Sequence, residues 1–403
     1  MDFSIDAATA HRLAAFDKLG REQMRPLGLE ADRLGRPTPP DHPYFQTLIE
    51  MGFGRTRWRP SRGARPRSED SGDKVGNSSD KTGNSRATLL LSEQLSYWDR
   101  GVAVSAPGPG LGEGAIISMG TEDQKQRYLT PFINPDKPRW GAFAMTEPGA
   151  GSDVAAIQTR AIRDGNNWVL IGNKSFSGNS SRADFILVWA TVDPSLGRAG
   201  HRAFLVEHGM PGLQDFHIER KMGLKAYEST SFRLEECRVP GANLLGGEAH
   251  YEQRAGFKGA MDTFNSTRPM VAAMAVGIGR AALDEAIAFA RAEGMTDDPR
   301  IRDRLERVAR KLRAARLLSL KAAWLADHRQ PNIVEASMSK ALAPTAAFEA
   351  ASLGMELLGL VGGRGDHLIE KLFRDVKAMD IVEGTGQIQR VVMARKLVNL
   401  PQS

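Results

Sequence analysis

Cysteine is nearly absent. Cys237 stands alone in 403 residues, so no internal disulfide can form, and a reducing cytoplasm is the compartment that fits. Long apolar runs are missing as well. No stretch of 18 or more uninterrupted apolar residues occurs, so no membrane insertion is expected. The opening Met1-Asp2-Phe3-Ser4-Ile5-Asp6 has no basic block followed by an apolar one, and no signal peptide is expected. The eight histidines show no metal-ligand constellation, and no metal is expected. No GxGxxG opens a helix after a strand, which argues against a nicotinamide-binding doubly wound domain, and the GxxxxGKS/T phosphate loop is absent. No helix-turn-helix pattern is present either.

What remains is ordinary globular material, 41% hydrophobic and 25% charged, long enough for two or three domains. The net charge is +6 and the pI about 9.4. Arg55, Arg57, Arg59, Arg62, Arg65 and Arg67 equal that excess by themselves. A small anionic ligand, or a solvated basic loop, accounts for them better than nucleic acid does.

Along the chain, residues 6–34 carry a helical pattern with Pro26 bending it, and Tyr44 to Met51 makes a second helix. From Arg55 to Arg86 almost nothing is apolar. Such a tract cannot bury enough surface to offset its ordering entropy. An irregular solvated insertion over 55–87 is expected; the other reading is a basic arm for an anionic partner. Thr88 to Trp98, Ala115 to Ile117 and Asp123 to Leu129 return to helix. Around Pro135 the period changes to that of strands, at 140–145, 157–162, 168–171, 185–189, 203–206 and 231–234, with a hairpin turn at Asp164-Gly165-Asn166-Asn167. From Ala255 the chain is helical again. Ser266 or Thr267 is expected to cap a helix with Pro269 in its first turn, and long helices follow from about Pro299, from Ile333 and at the C-terminus. The expected fold is α+β multidomain. It has an all-α domain at 1–135, a β domain at 136–242 and a helical bundle at 243–403.

Two stretches suggest chemistry. Asp380-Ile381-Val382-Glu383-Gly384-Thr385-Gly386 places a carboxylate on a bend before a helix whose Ile388, Val391, Val392 and Leu397 suggest an apolar face. Glu383 is a candidate general base; a surface carboxylate or a helix-start anion are the other readings. Thr146-Glu147-Pro148-Gly149-Ala150-Gly151-Ser152-Asp153 follows a strand, and its glycines let backbone amides approach a ligand closely. A plain connector is the alternative.

Phe143 to Asp153 resembles the flavin-contacting segment of the acyl-CoA dehydrogenase family, and the Glu383 stretch resembles its IYEGT-x-x-I-Q-R segment. Gly120 to Leu129, Lys221-Met222-Gly223, Val239-Pro240 with Leu244-Leu245-Gly246, and Lys371 to Asp375 are similar to family patterns, in family order. The resemblance covers the chain except about 55–87. It implies an N-terminal α domain, a middle β-barrel-like domain and a C-terminal four-helix bundle, with FAD between the last two. It implies α,β-dehydrogenation of an acyl-CoA to the 2-enoyl-CoA, Glu383 taking the α-proton, and reoxidation by an electron-transfer flavoprotein. Such a base works best when burial raises its pKa towards the operating pH. The thioester oxygen needs donors as charge develops, and the resemblance implies that the Glu383 N–H is one of them.

By the same resemblance Phe143, Met145, Thr146, Gly151, Ser152, Phe176, Gly178, Gly362, Gly363, Thr385 and Gln387 belong to the flavin site. Ser152, Thr267, Arg268 and Gly384 belong to the substrate site. A structural ion pair is the other reading for Arg268, and a helix-ending turn for Gly362-Gly363. Some relatives carry the base at the position of Thr267, which cannot serve.

Departures from the pattern bear on assembly. Lys174-Ser175-Phe176-Ser177-Gly178-Asn179 stands where the family has K-x-W-I-T-N. Phe176 can still cover a flavin, but Gly178 lacks the hydroxyl that usually bonds N5, leaving a backbone N–H as the substitute. The family R-x-x-F-G segment is absent, Glu293 falling near its Arg, and the Gln before the Gly-Gly loop is replaced near Gly359. Arg300, Arg302 or Arg304 are the candidates for a pyrophosphate contact. A homodimer or homotetramer is expected. A heteromer in which this chain bears the base or is a non-catalytic partner, or a related flavin oxidase, are the alternatives. The identity of the acyl group cannot be read from the sequence.

Overall fold

The computed structural model describes residues 4–60, 85–252 and 256–398, with no side chains for 256–266. The first part is helical: α1 (Ala7–Leu19), α2 (Arg25–Leu34), α3 (Pro43–Glu50), α4 (Ser85–Val104), α5 (Glu113–Met119) and α6 (Glu122–Leu129). Pro26 starts α2 rather than breaking a helix, because a π-helical turn over Gly20–Met24 joins α1 to α2. Most of the polar tract, 61–84, lies outside the described residues. Its two edges are built. Thr56 Oγ1 donates to Glu113 Oε1 at 2.7 Å and Trp58 is buried. At the other edge the Ser85 N–H and Arg86 Nε donate to the Asp327 carboxylate at 2.8 and 3.0 Å.

Seven strands form one curled sheet: β1 (Gly141–Ala144), β2 (Arg160–Asp164), β3 (Asn167–Gly178), β4 (Phe185–Thr191), β5 (His201–Glu207), β6 (Leu213–Ile218) and β7 (Ser229–Pro240). The order is β1-β4-β2-β3-β7-β6, with β5 on β4. Every residue of β4 is buried, as its unbroken apolar run requires. The Gly165-Asn166 turn sets the β2–β3 register, Asp164 opposite Asn167. β6 escapes a sequence reading because it is an edge strand whose Gln214, Asp215, His217 and Ile218 are half-buried or exposed, erasing the alternation.

The last part holds a short α7 (Glu248–Glu252), then α8 (Gly256–Ala292), α9 (Pro299–Asp327), α10 (Ile333–Gly362), α11 (Leu368–Val376) and α12 (Gly386–Leu397). α8 is central and packs on α4, α9 and α10. Small residues set these crossings. A Cβ on Gly277 would lie 2.2 Å from Glu93 O of α4, and one on Gly279 2.8 Å from the Ala347 backbone of α10. α10 is long and apolar enough to suit a membrane, but its buried alanines pack against α8 and α9. Glu93, 1% exposed, ties α4 to α8 and α9 through Arg280 at 2.5 Å and Arg316 at 2.7 Å.

Three expectations need correction. Thr267 and Pro269 lie inside α8, not at its start; the Thr267 hydroxyl bonds Glu383 instead of capping a helix. The fourth bundle element is two helices, α11 and α12, with the Glu383 bend between them. The residues proposed as an inner face of α12 are largely outside, Val391 and Leu397 being 45% and 70% exposed, because α12 meets the bundle through buried Gly386 and Gln389.

Candidate active site

Glu383 sits on a strained bend. Its φ is 56° and that of Gly384 is 93°. A non-glycine residue in this region costs on the order of 1 kcal/mol and persists only where its surroundings impose it. They do so from both sides. Thr385 caps α12 by accepting from the Ile388 N–H at 3.3 Å, and Gln389 Nε2 donates to Gly384 O at 3.2 Å. On the preceding side the Ile381 and Val382 amides both bond Ala378 O.

The bend turns the Glu383 carboxylate inward. Oε2 is buried and has no hydrogen-bond partner. Burial drives the carboxyl above the ordinary carboxylate range. The Thr267 hydroxyl and the charges of Arg100, Lys340 and Arg268 oppose this without cancelling it. Arg100 comes from α4, Lys340 from α10, and Thr267 and Arg268 are neighbours in α8. Lys340, fully buried in α10, donates to Met379 O at 2.7 Å, and burial pulls its ammonium down to about 8. Arg268 is 5% exposed in α8, its guanidinium lowered by burial and held up by Glu383. Arg100 has a buried Nε with no partner, and no carboxylate of the described residues lies within ion-pair distance of it. Burial lowers it, while Glu383 and Tyr227 counteract.

A kink presents Arg100. Inside α4 the Asp99 backbone leaves the helix at φ −164° and ψ 113°. The Asp99 carboxylate is locked there by Lys371 Nζ of α11 at 2.6 Å and by the Val102 N–H at 2.9 Å. Lys371 also pairs with Asp375 at 2.5 Å, and Asp375 accepts from the Leu224 N–H at 2.6 Å. One buried triad thus joins α4, the segment before β7, and α11, the helix that leads into the Glu383 bend.

The residues expected at the flavin between Phe143 and Gly178 lie on β1, the loop after it and β3. Phe143 and Thr146 are half-buried and Met145 is buried at the end of β1. Gly151 and Ser152 are exposed on the following loop, which buried Glu147 anchors by accepting from Lys174 Nζ at 2.7 Å and from the Gln158 and Thr159 amides at 2.6 and 3.0 Å. Phe176 projects from β3 at φ 55° with 66% of its surface exposed. A Cβ on Gly149 or Gly151 would touch nothing within 4 Å. An exposed aromatic beside an open glycine loop suits a flat aromatic cofactor, so these residues fit FAD. Tyr227 connects this group to Glu383. Its hydroxyl abuts Gly178, and burial pushes it up to about 12 with Arg100, Glu228 and Glu383 nearby.

Other expected residues lie apart. Gly362 is packed inside the subunit against Leu358 and Ile369, and the Gly363 N–H bonds Gly359 O at 3.1 Å, which ends α10. Gln387 is exposed in the first turn of α12, and Thr385 is its cap. Arg300 is engaged with Asp298 at 2.8 Å and Arg304 with Glu356, so Arg302 is the arginine of that trio with no ion pair among the described residues. Arg100, Lys340 and Tyr227 were not anticipated. One signal was available for Lys340, the lone basic residue in the 30 residues of α10.

The raised Glu383 has a consequence for stability. A carboxyl whose folded-state pKa is raised contributes stability at low pH that is lost as pH rises from the unfolded value of about 4.5 through the folded one. Glu383→Gln should therefore unfold at a higher temperature than the parent at pH 8, with the difference shrinking towards pH 4. Thermal melts of both proteins across that range check it; a difference that does not change with pH contradicts the assignment.

Comparison with known proteins agrees with this architecture. The model of the acyl-CoA dehydrogenase middle domain matches residues 142–237, and that of the C-terminal domain matches 254–398. The chain is 38% identical over 290 residues to the mitochondrial short-chain specific acyl-CoA dehydrogenase of Rattus norvegicus, covering 71% of this chain and 69% of that protein. It is 36% identical over 299 residues to the probable acyl-CoA dehydrogenase YngJ of Bacillus subtilis strain 168, covering 73% and 77%. The solved butyryl-CoA dehydrogenase from Megasphaera elsdenii superposes with a TM-score of 0.84 at 29% identity, covering 99% of this chain and 100% of that one. The chain belongs to the acyl-CoA dehydrogenase family of oxidoreductases.

Proposed function

We propose that this chain catalyses α,β-dehydrogenation of an acyl-CoA thioester to the 2-enoyl-CoA, with Glu383 removing the α-proton. The observation that carries this is the buried, unpartnered Glu383 Oε2 on a strained bend. A carboxylate raised by burial is a stronger base than an exposed one. Thr267 orients it, and Arg100, Lys340 and Arg268 keep enough of it ionised. The same three cations favour the negative charge that develops on the substrate when the proton leaves. Phe143, Met145, Thr146, Ser152 and Phe176 would hold FAD, which would supply the acceptor for the β-hydride. An electron-transfer flavoprotein is the proposed partner that takes the electrons onward.

The unpartnered Arg100 Nε bears on the substrate. A buried N–H donor left without an acceptor is costly. It favours acyl groups that bring an oxygen, such as a terminal carboxylate, over plain alkyl chains. Anaerobic mixing of the FAD-loaded protein with a panel of acyl-CoAs tests both points, read as bleaching of the flavin absorbance. Bleaching is expected, faster for glutaryl-CoA than for butyryl-CoA. Absence of bleaching across the panel contradicts the reaction; equal rates contradict the substrate preference. Protein expressed alone should carry FAD stoichiometrically if the assembly is a homo-oligomer, and should lack it if a different subunit completes the site.

Arg100 also sets the pH profile. Its charge lowers the Glu383 pKa, so Arg100→Gln should move the ascending limb of kcat/KM to higher pH. A limb that stays put contradicts the placement of Arg100 beside the base.

A further inference from the structure

Gly178 ends β3 close to the reacting groups. A Cβ built on it would lie 1.3 Å from Tyr227 Oη and 2.4 Å from Tyr227 Cζ. Those distances are about one and two covalent bonds, so the phenol occupies the volume that a side chain at 178 would take. Tyr227 reaches that point from another segment, the turn before β7. In the β3–β7 register Gly178 lies opposite Ser229, two residues further on.

The turn is firmly held. The Tyr227 N–H donates to Leu224 O at 3.0 Å, and Lys221 Nζ donates to Tyr227 O at 2.5 Å. Neighbouring Glu228, 1% exposed, accepts from the Ser181 N–H at 3.1 Å, from Ser181 Oγ at 2.8 Å, from Arg182 Nε at 2.8 Å and from Thr230 Oγ1 at 2.9 Å. A tyrosine has only two side-chain torsions, so little conformational entropy is lost in holding its hydroxyl at one position. Arg100 of α4 and Glu383 of the bend before α12 are near enough to act electrostatically on the phenol, as is its chain neighbour Glu228. Tyr227 therefore stands between the flavin-site residues of β3 and the base.

We propose that the Tyr227 hydroxyl is the hydrogen-bond donor this chain presents to the flavin at the end of β3, supplied from the turn before β7 in place of a hydroxyl side chain at residue 178. Gly178 is then a consequence of Tyr227, since any larger residue would overlap the phenol. The two positions form an exchangeable pair: glycine with tyrosine, or a hydroxyl side chain at 178 with a small residue at 227. This rests on the assignment of FAD to the site.

The test uses the full-length protein loaded with FAD and four variants, read by circular dichroism, FAD affinity and the visible flavin spectrum. Tyr227→Phe keeps the ring and removes only the hydroxyl. It is expected to fold, to bind FAD several-fold more weakly and to shift the flavin absorption maxima. Gly178→Thr alone is expected to lose FAD because of the overlap. Tyr227→Ser alone should resemble Tyr227→Phe. Combined with Gly178→Thr it should regain the parent affinity and spectrum. A Tyr227→Phe protein with the parent spectrum and affinity overturns the proposal and leaves Tyr227 as packing. Failure of the folded double variant to recover overturns the exchange. A parent protein that takes up no FAD overturns the cofactor assignment as well, which separates the two failures.

Discussion

Glu383→Gln should keep FAD and acyl-CoA binding close to the parent values and lose flavin reduction by a factor on the order of 10⁴, the upper end of what a positioned base contributes. The substitution preserves size and leaves an acceptor for the Thr267 hydroxyl, so the strained bend, the Thr385 cap and the Gln389 contact stay in place. What disappears is the carboxylate proposed to take the proton. Lys340 is no substitute. Its ammonium, though pulled down to about 8, is still largely protonated near neutrality and is engaged with Met379 O. The loss should therefore fall on the rate of reduction, with little change in the concentration of acyl-CoA that saturates it. A rate within tenfold of the parent contradicts the assignment of the base.

The second large effect is on stability. Lys371→Met should destabilise the protein by roughly 3–5 kcal/mol. Lys371 is 3% exposed and bridges Asp99 and Asp375, each 1% exposed. Burial pushes its ammonium down, but the two carboxylates outweigh that and hold it above its ordinary value. Burial likewise raises Asp375, which Lys371 opposes. Methionine keeps most of the volume and removes the charge, so two carboxylates are left facing each other without a partner. Their repulsion should ease on acidification, and the deficit measured by urea unfolding should shrink between pH 7 and pH 4. The same variant should loosen the Asp99 kink that presents Arg100. A loss below about 1 kcal/mol would show that the triad is relieved by relaxation or water.

Much of the architecture was legible because it depends on local periodicity. The change to strands near Trp140 and the stripe of Leu305, Val308, Leu312 and Ala315 along α9 are patterns of period 2 and 3.6. The bend at Glu383 was legible because a carboxylate, glycines and a threonine lie next to one another before a helix, whereas the assignment of Glu383 as a base came from the family resemblance. Arg100, Lys340 and Tyr227 were not, since their meaning arises from packing. Arg100 looks like any charged helical residue until the kink at Asp99, held from α11, turns it inward. Tyr227 gains significance only from Gly178, which is 49 positions away in sequence and in overlap range in space. Pro269 misled because a proline in a helical pattern usually marks a start. α8 continues through it, and just beyond it Val271, Ala272 and Ala275 pack in the bundle core. The α12 face misled for the opposite reason: its apolar spacing is real, but the bundle is satisfied by Gly386 and Gln389.

The central claim is that Glu383 takes a proton from the carbon next to the thioester. Proton exchange at that carbon reports this without any need for turnover. The FAD-loaded protein, kept anaerobic in D₂O with an acyl-CoA, should exchange the α-hydrogen for deuterium, seen as loss of its proton NMR signal. Glu383→Gln, folded and FAD-loaded under the same conditions, should leave that signal intact. Exchange by the variant at the parent rate would contradict the account, because the proton would then be leaving to some other group.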